Sequence, residues 1–310
     1  MAADGLQVQD EELEALLDQI PALSGRPRSI TELSGGLTNR NLKVTTPAGS
    51  FVARCSALNA DALDIDRDVE HHNTCAAERA GVGAPVVDYR PDLGVLVIGF
   101  LEGVTLSRES FANTGVVERV AASCRQLHDG PRFEGTFDMF ERQQAYLRTV
   151  QTNGFRLPPG YLDHAEVLSP IRQALTVRDE GTVPCNNDLL AENFVDDGSK
   201  IWLIDYEYSG NNDAAFELGN IWAECRLSLD QLEALVTAYY GRPRPSKVAR
   251  ARLQGIVGQY GWTLWGAIQD AVSPVDFDFW QWALERYDLA TSQMRGPDLE
   301  SLLEDVQRAD

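Results

Sequence analysis

Residues 183–210 read VPCNNDLLAENFVDDGSKIWLIDYEYSG. A short apolar approach reaches Asp188, and Asn193 follows five residues later. Asp196, Asp197 and Gly198 then mark a compact turn, and the apolar run IWLI at 201–204 delivers Asp205. Apolar runs bounded by Asp and Gly clusters read as paired short strands joined by a turn. Such a hairpin holds Asp188, Asn193 and Asp205 at one end. Two acids and an amide gathered this way suit Mg2+, a hard cation that takes oxygen ligands, usually one or two carboxylates plus substrate phosphates. Taken alone, the pattern also fits an ordinary hairpin with two acidic turns.

The composition narrows the setting. The chain has 310 residues, enough for one large domain or two lobes that each bury a core. At 44% hydrophobic and 24% charged it reads as a globular protein that stays in water. The formal net charge of -20 argues against nucleic acid, whose phosphates call for clustered Lys and Arg. It is compatible with a cationic small molecule. Only three lysines occur, Lys43, Lys200 and Lys247. The five cysteines are odd in number and form no CxxC, so they read as reduced, buried thiols. The acidic N-terminus has no apolar signal core, and no run of eighteen apolar residues occurs. A cytoplasmic location without membrane insertion is the expectation.

Upstream of the hairpin the patterns are mostly strand. Residues 10–20 predict an amphipathic helix with Leu13, Leu16, Leu17 and Ile20 on one face, stopped by Pro21. Residues 29–55 predict strands around a glycine pair, Gly35 and Gly36, followed by Leu37, Thr38 and Asn39. Glycines there permit positive φ and let backbone N–H groups approach a phosphate, although an isolated pair also makes a plain turn. No P-loop and no dinucleotide fingerprint is present. The run FVAR at 51–54 predicts the third strand, where Arg54 is the one cation; arginine can hold phosphate oxygens bidentately. Residues 65–80 predict a helix on which Glu70, one turn after Arg67, is placed to face the sheet and pair with Arg54. His71 and His72 are adjacent and do not share a helix face, so they read as surface residues rather than ligands. Two more strands, at 86–89 and 95–98, lead into Gly99, Phe100, Leu101, Glu102 and Gly103. That segment reads as a connector whose backbone suits an adenine edge.

Downstream the patterns are helical apart from the central hairpin, with helices expected at 113–128, 136–152, 163–177, 229–240, 246–268 and 277–294 and one starting near 216. The expected fold class is α+β with two lobes. Residues 1–101 would form a small nucleotide-binding lobe, an antiparallel sheet with one long helix. Residues 102–310 would form a larger, mainly helical lobe carrying catalysis and substrate binding.

The motifs share an order. They run LSGGLTN at 33–39, Arg54, Ile65-Asp66-Arg67 with Glu70, Leu127-His128, NDLLAENF at 187–194, IDYEY at 204–208 and FELGN at 216–220. Trp262 and Trp265, then Phe277, Phe279 and Trp282, complete the series. In this the chain resembles the choline/ethanolamine kinase family, within the wider aminoglycoside-phosphotransferase-like group that shares the protein-kinase fold. In phosphoryl transfer of that kind an Asp is followed five positions later by Asn and then by a second Asp on the next strand. The resemblance implies that Asp188 orients or deprotonates the acceptor hydroxyl and that Asn193 and Asp205 hold Mg2+. It also implies that Arg54 and Glu70 position the phosphates of ATP, while Gly35, Gly36, Leu37, Thr38 and Asn39 cover them. Phe100 and Leu101 would meet the base.

On the substrate side, a quaternary ammonium has no N–H to donate, so aromatic faces and a carboxylate must recognise it. The resemblance implies a cage from Tyr208, Glu224, Trp262, Trp265 and Trp282, with Glu207 beside Tyr208. Amphipathic helices also bury tryptophans simply as core. One departure is Asn186, where the family has histidine; its side chain both donates and accepts, so weakened bracing is expected rather than lost chemistry. The expected reaction is ATP-dependent phosphorylation of choline or a closely related amino alcohol. Ethanolamine, thiamine or an aminoglycoside as acceptor, or a binding-only pseudokinase, are the alternatives.

Overall fold

A computed structural model describes residues 12–33, 37–56 and 65–310. The glycine pair Gly35 and Gly36, expected to cover phosphates, lies outside the described residues. The chain divides into two compact units, one comprising Met1–Ala60 with Ala84–Glu102 and the other Asp61–Gly83 with Gly103–Asp310.

The first unit is an antiparallel five-stranded sheet with a helix. Helix α1 spans 12–18. The strands are β1 (Ser29–Leu33), β2 (Asn39–Thr46), β3 (Gly49–Ser56), β4 (Val86–Arg90) and β5 (Val95–Gly99), in spatial order β1-β2-β3-β5-β4. Alternation along β2 turns Leu42 and Val44 to one face, where they meet Ala53, Val95 and Val97. Leu17, Ile20 and Leu23 close that core from the helix side, so the apolar stripe read in residues 10–20 is the sheet's cover.

The second unit holds the hairpin region and the remaining helices. Helix α2 (Arg67–Ala80) is capped by Asp66, whose Oδ1 accepts from the N–H of Asp68 and Val69, and ends on Gly81 at φ 78°. Glycine is needed there because only it enters the left-handed region without a Cβ clash. Helices α3 (Thr114–His128), α4 (Met139–Asn153), α5 (Ala165–Val177), α6 (Ala214–Glu224), α7 (Leu229–Tyr240), α8 (Pro245–Val272), α9 (Phe279–Met294) and α10 (Leu299–Asp305) follow. Their cores and most of their limits match the expected helices.

The central stretch contains four short strands. β7 (Val183–Cys185) pairs antiparallel with β10 (Gly210–Asn212), while β8 (Phe194–Asp196) and β9 (Ile201–Leu203) form the hairpin, flanked by β6 (Val104–Thr105). The apolar approach is therefore not a partner of the hairpin strand next to it. It pairs instead with the strand that follows Asp205. The hairpin turn is fixed by Asp197, whose Oδ1 accepts from the N–H of Ser199 at 2.7 Å and of Lys200 at 2.8 Å.

Helix α8 runs through the middle of the helical layer, buried almost continuously from Ala249 to Gln269. It meets α6 at a glycine–glycine contact. A Cβ on Gly219 would lie 2.1 Å from the Ala251 carbonyl oxygen, and one on Gly255 2.7 Å from that of Gly219. Backbone cannot yield as a flexible side chain would. Gly219→Ala is therefore expected to cost about 2 kcal/mol or more, read as a drop in urea midpoint with unchanged m-value. A change below about 0.5 kcal/mol would mean the two helices are not held this close.

Candidate active site

The loop from 186 to 193 is built over a buried carboxylate and tied by its own asparagines. Glu217, on the first turn of α6, is fully buried. Its two carboxylate oxygens accept the backbone N–H groups of Asn186 at 2.8 Å and Asn187 at 2.7 Å. Asn187 stands at φ 69°, a left-handed conformation that asparagine tolerates better than most residues. Its side-chain nitrogen donates to the carbonyls of Cys185 at 3.2 Å and Tyr208 at 3.0 Å, and its oxygen accepts from Asn212 at 2.9 Å. Turned over in this way, the chain presents Asp188.

Asn186 ties this loop to the second acid. Its Nδ2 donates to the carbonyls of Ile204 at 3.1 Å and Asp205 at 2.8 Å, and its Oδ1 accepts from the N–H of Asp188 at 3.1 Å. Asp205 itself has φ 64°, a strained setting for a non-glycine residue that is held by its surroundings. The asparagine at the histidine position thus bridges the Asp188 and Asp205 segments by three hydrogen bonds. Asn193 closes the loop: its Nδ2 donates to the Asp188 carbonyl at 2.7 Å, and its own carbonyl accepts from Ile204 N–H at 3.0 Å. The amide nitrogen is committed to the loop, so the amide oxygen is the donor it offers a metal.

Below the loop lies a second buried cluster. His128 Nε2 is 3.6 Å from both Cys185 Sγ and Glu217 Oε1, and its Nδ1 meets the Tyr239 hydroxyl at 2.7 Å. The three side chains are close enough to share a cation. The chemistry speaks against it. Glu217 is already engaged by two backbone donors and His128 Nδ1 by Tyr239, and burial disfavours the Cys185 thiolate. The cluster is a support for the loop.

The acids around Asp188 repel one another. Its carboxyl is pushed well above the usual carboxylate range, first by burial and then by Asp205, Glu207 and Glu224, with Arg286 opposing. A surplus of carboxylate charge with an amide oxygen nearby is the donor set of a hard divalent cation. Glu70, buried on α2, pairs with Arg67 at 2.6 Å, and Arg67 also reaches Glu207 at 3.4 Å.

The aromatic residues form a connected chain. Trp265 Nε1 donates to the Tyr208 hydroxyl at 2.7 Å, and burial keeps that phenol protonated. Trp262 packs edge-on against Tyr208 at 5.1 Å and donates from Nε1 to Asn220 at 3.3 Å. Trp282 lies 4.9 Å from Trp265. The structure brings together Tyr208, Trp262, Trp265, Trp282 and Glu224. Trp262 and Trp265 are only 3% and 5% exposed, so most of their surface serves the core. Arg142 lies over the Tyr208 ring at 5.5 Å, a contact that no local pattern announces. Glu224 is held by Gln259 and Arg286, which were also missed.

In the first unit, Asn39 opens β2 opposite Ser56, with Thr38 just before it and Leu37 half-buried. Arg54, 8% exposed, sits on β3 opposite Asn41 on one side and Leu96 on the other. Phe100 is hydrogen-bonded from its N–H to the Ser50 carbonyl at 3.0 Å, and Lys43 Nζ lies 3.5 Å above its ring. Leu101 follows, half-buried.

Known proteins show the same organisation. A family profile described as choline/ethanolamine kinase matches residues 30–238. Protein LicA of Haemophilus influenzae is 27% identical over 273 residues, covering 83% of this chain and 77% of its own. The crystal structure of a choline/ethanolamine kinase family protein from Mesorhizobium loti superposes with a TM-score of 0.85 at 32% identity, over 96% of this chain and 99% of that one. The choline kinase LicA of Streptococcus pneumoniae has the same fold, with a TM-score of 0.76 at 21% identity over 91% of this chain and 98% of its own. With a matching profile across two thirds of its length and a full-length structural counterpart, this chain belongs to the choline/ethanolamine kinase family, phosphotransferases with an alcohol group as acceptor.

Proposed function

We propose that this protein transfers the γ-phosphoryl of ATP to the hydroxyl of choline, with ethanolamine as the nearest alternative acceptor. The observation that carries the reading is the bridge made by Asn186, which binds the Asp188 loop to Asp205 beside a continuous chain of aromatic rings. Asp188 accepts the hydrogen bond of the acceptor hydroxyl and takes its proton. Asn193 and Asp205 would hold Mg2+, which when bound would supply charge neutralisation for the phosphates. Residues 35–39, Arg54 and Glu70 serve the phosphates, and Phe100 and Leu101 the base. Tyr208, Trp265 and the acids around Asp188 and Glu207 receive the ammonium group. Residues 1–101 serve the nucleotide and residues 102–310 serve catalysis and the substrate in this reading. With no membrane-spanning helix among the described residues and five free cysteines, the cytoplasm is its working compartment.

Little covalent work falls to the protein in such a transfer; positioning and charge stabilisation dominate. Because Asp188 must be ionised to accept the proton, its raised carboxyl makes turnover increase with pH through that value. An ADP-release assay over choline, ethanolamine, thiamine and an aminoglycoside, with Mg2+ and with chelator, tests the reading. The expected result is turnover with choline above the others, abolished by chelator and restored by Mg2+. Trp265→Phe keeps a ring but removes the bond to Tyr208. It is expected to raise KM for the amino alcohol about tenfold with KM for ATP unchanged. Turnover with an aminoglycoside alone would reassign the substrate, and none with any acceptor would overturn the assignment.

A further inference from the structure

The carboxylate expected to meet the substrate cation already holds a cation of the protein's own. Trp282 and Arg286 stand four residues apart on α9 and share a face. The Arg286 guanidinium lies 3.2 Å from the centroid of the Trp282 ring. Its Nη2 makes a short ion pair with Glu224 Oε2, and Nη1 donates to the Trp282 carbonyl at 3.3 Å. The other oxygen, Glu224 Oε1, accepts from Gln259 Nε2 at 2.6 Å. Arg286 and Glu224 are 3% and 5% exposed. On its other side Trp282 rests on a glycine, since a Cβ at Gly266 would come within 2.9 Å of Trp282 Cε3.

An acid and an indole face gathered round a cation are the elements of ammonium recognition. Here both oxygens and one face are taken. Arg286 Nε and Gln259 Oε1 are also buried without a partner. A contact that served only to join α6, α8 and α9 would not need that cost, since an apolar core does the joining more cheaply.

We propose that Arg286 is a positioning residue for the substrate pocket. It fills the Glu224–Trp282 cation site and thereby fixes the indole chain Trp282–Trp265–Tyr208. Glu224 is the acid by which α6 holds Arg286 in place. This rests on the amino-alcohol kinase reading above.

Kinetics of Arg286→Met, Arg286→Lys, Glu224→Gln and the double variant Arg286→Met/Glu224→Gln test it, alongside near-UV circular dichroism of the indoles. Lysine keeps the charge but not the planar fork that stacks and bridges. The expected result for Arg286→Met is KM for choline raised roughly tenfold or more, with KM for ATP and kcat little changed. Arg286→Lys should recover part of that loss. The double variant should be no worse than Arg286→Met alone, because both changes break one unit. Additive losses from Glu224→Gln and Arg286→Met would show that the two residues do not act as one unit and overturn the inference. So would a lower KM in Arg286→Met, which would make Arg286 a competitor, or an unchanged KM with reduced stability. If the parent protein phosphorylates no amino alcohol, the functional reading fails. The indole spectrum then decides the clamp separately, and an unchanged spectrum in Arg286→Met overturns it.

Discussion

Asp188→Asn is expected to abolish turnover and, in the metal-free protein, to raise the melting temperature. The first half follows from the role of the residue: an amide takes no proton from the acceptor, and a loss of about 10²–10⁴-fold in kcat is the usual scale for such a group. The second half follows from the crowding of carboxylates. In the folded protein the Asp188 carboxyl lies well above its ordinary range, through burial and then through Asp205, Glu207 and Glu224. The folded state therefore binds the proton more tightly than the unfolded chain. Stability is greatest at low pH and is lost as pH rises from the ordinary carboxylate range up to the raised value. At neutral pH a carboxyl raised in this way costs stability, and asparagine removes that cost. An increase of about 2 °C or more is expected for a chain of this size. Mg2+ with nucleotide should stabilise the parent more than the variant, because the cation relieves the same repulsion. A variant that melts lower than the parent, or keeps its kcat within about tenfold, would contradict the role given to this carboxylate.

What the residues disclosed, and what they concealed, divides along the distance between partners in the chain. The helices of the second unit announce themselves, because their stop signals are local: Asp66, Asp138, Asp213 and Ser228 cap them, and Gly81, Gly154 and Gly241 end them in the left-handed region. Asp188, Asn193 and Asp205 were legible for the same reason, since one loop and one hairpin carry all three. The partner of β7 was not, because β10 lies beyond the hairpin and no local pattern selects it over β8. Glu217 looks like any glutamate in a first helical turn, until the fold places it under the loop 30 residues upstream. Arg286 lies 62 residues from Glu224, and no periodicity links them. Trp262 and Trp265 share a helix face as their spacing required, and both are buried. Asn186 is the instructive case. Set beside a family pattern it looks like a lost histidine, whereas its donor and acceptor are used in three hydrogen bonds that only the folded loop defines.

Glu217→Ala carries the largest expected loss of stability together with a loss of rate. The carboxylate satisfies two buried backbone donors, the N–H groups of Asn186 and Asn187, at 2.8 and 2.7 Å. Removing it leaves both unsatisfied, at about 1–3 kcal/mol each, and opens a cavity beside His128 and Cys185. A total of about 3–5 kcal/mol is expected. Glu217→Gln keeps the volume and one acceptor but turns an amide N–H₂ toward a backbone donor. It also releases a buried charge, so its cost should be smaller, about 1–2 kcal/mol. The effect on rate comes through geometry. Asn187 holds φ 69° only because both ends of the loop are tied, and Asp188 is the next residue. An error of about 1 Å in its carboxylate is enough for roughly a hundredfold loss of kcat, whereas the indoles of the amino-alcohol pocket stand on α8 and α9, so its KM should change less. Urea unfolding and steady-state kinetics on the two variants read these quantities separately. A Glu217→Ala protein within about 1 kcal/mol of the parent would show that the loop finds its shape without the carboxylate. A KM for the amino alcohol that rises while kcat holds would place Glu217 in the substrate pocket rather than beneath the loop that presents Asp188.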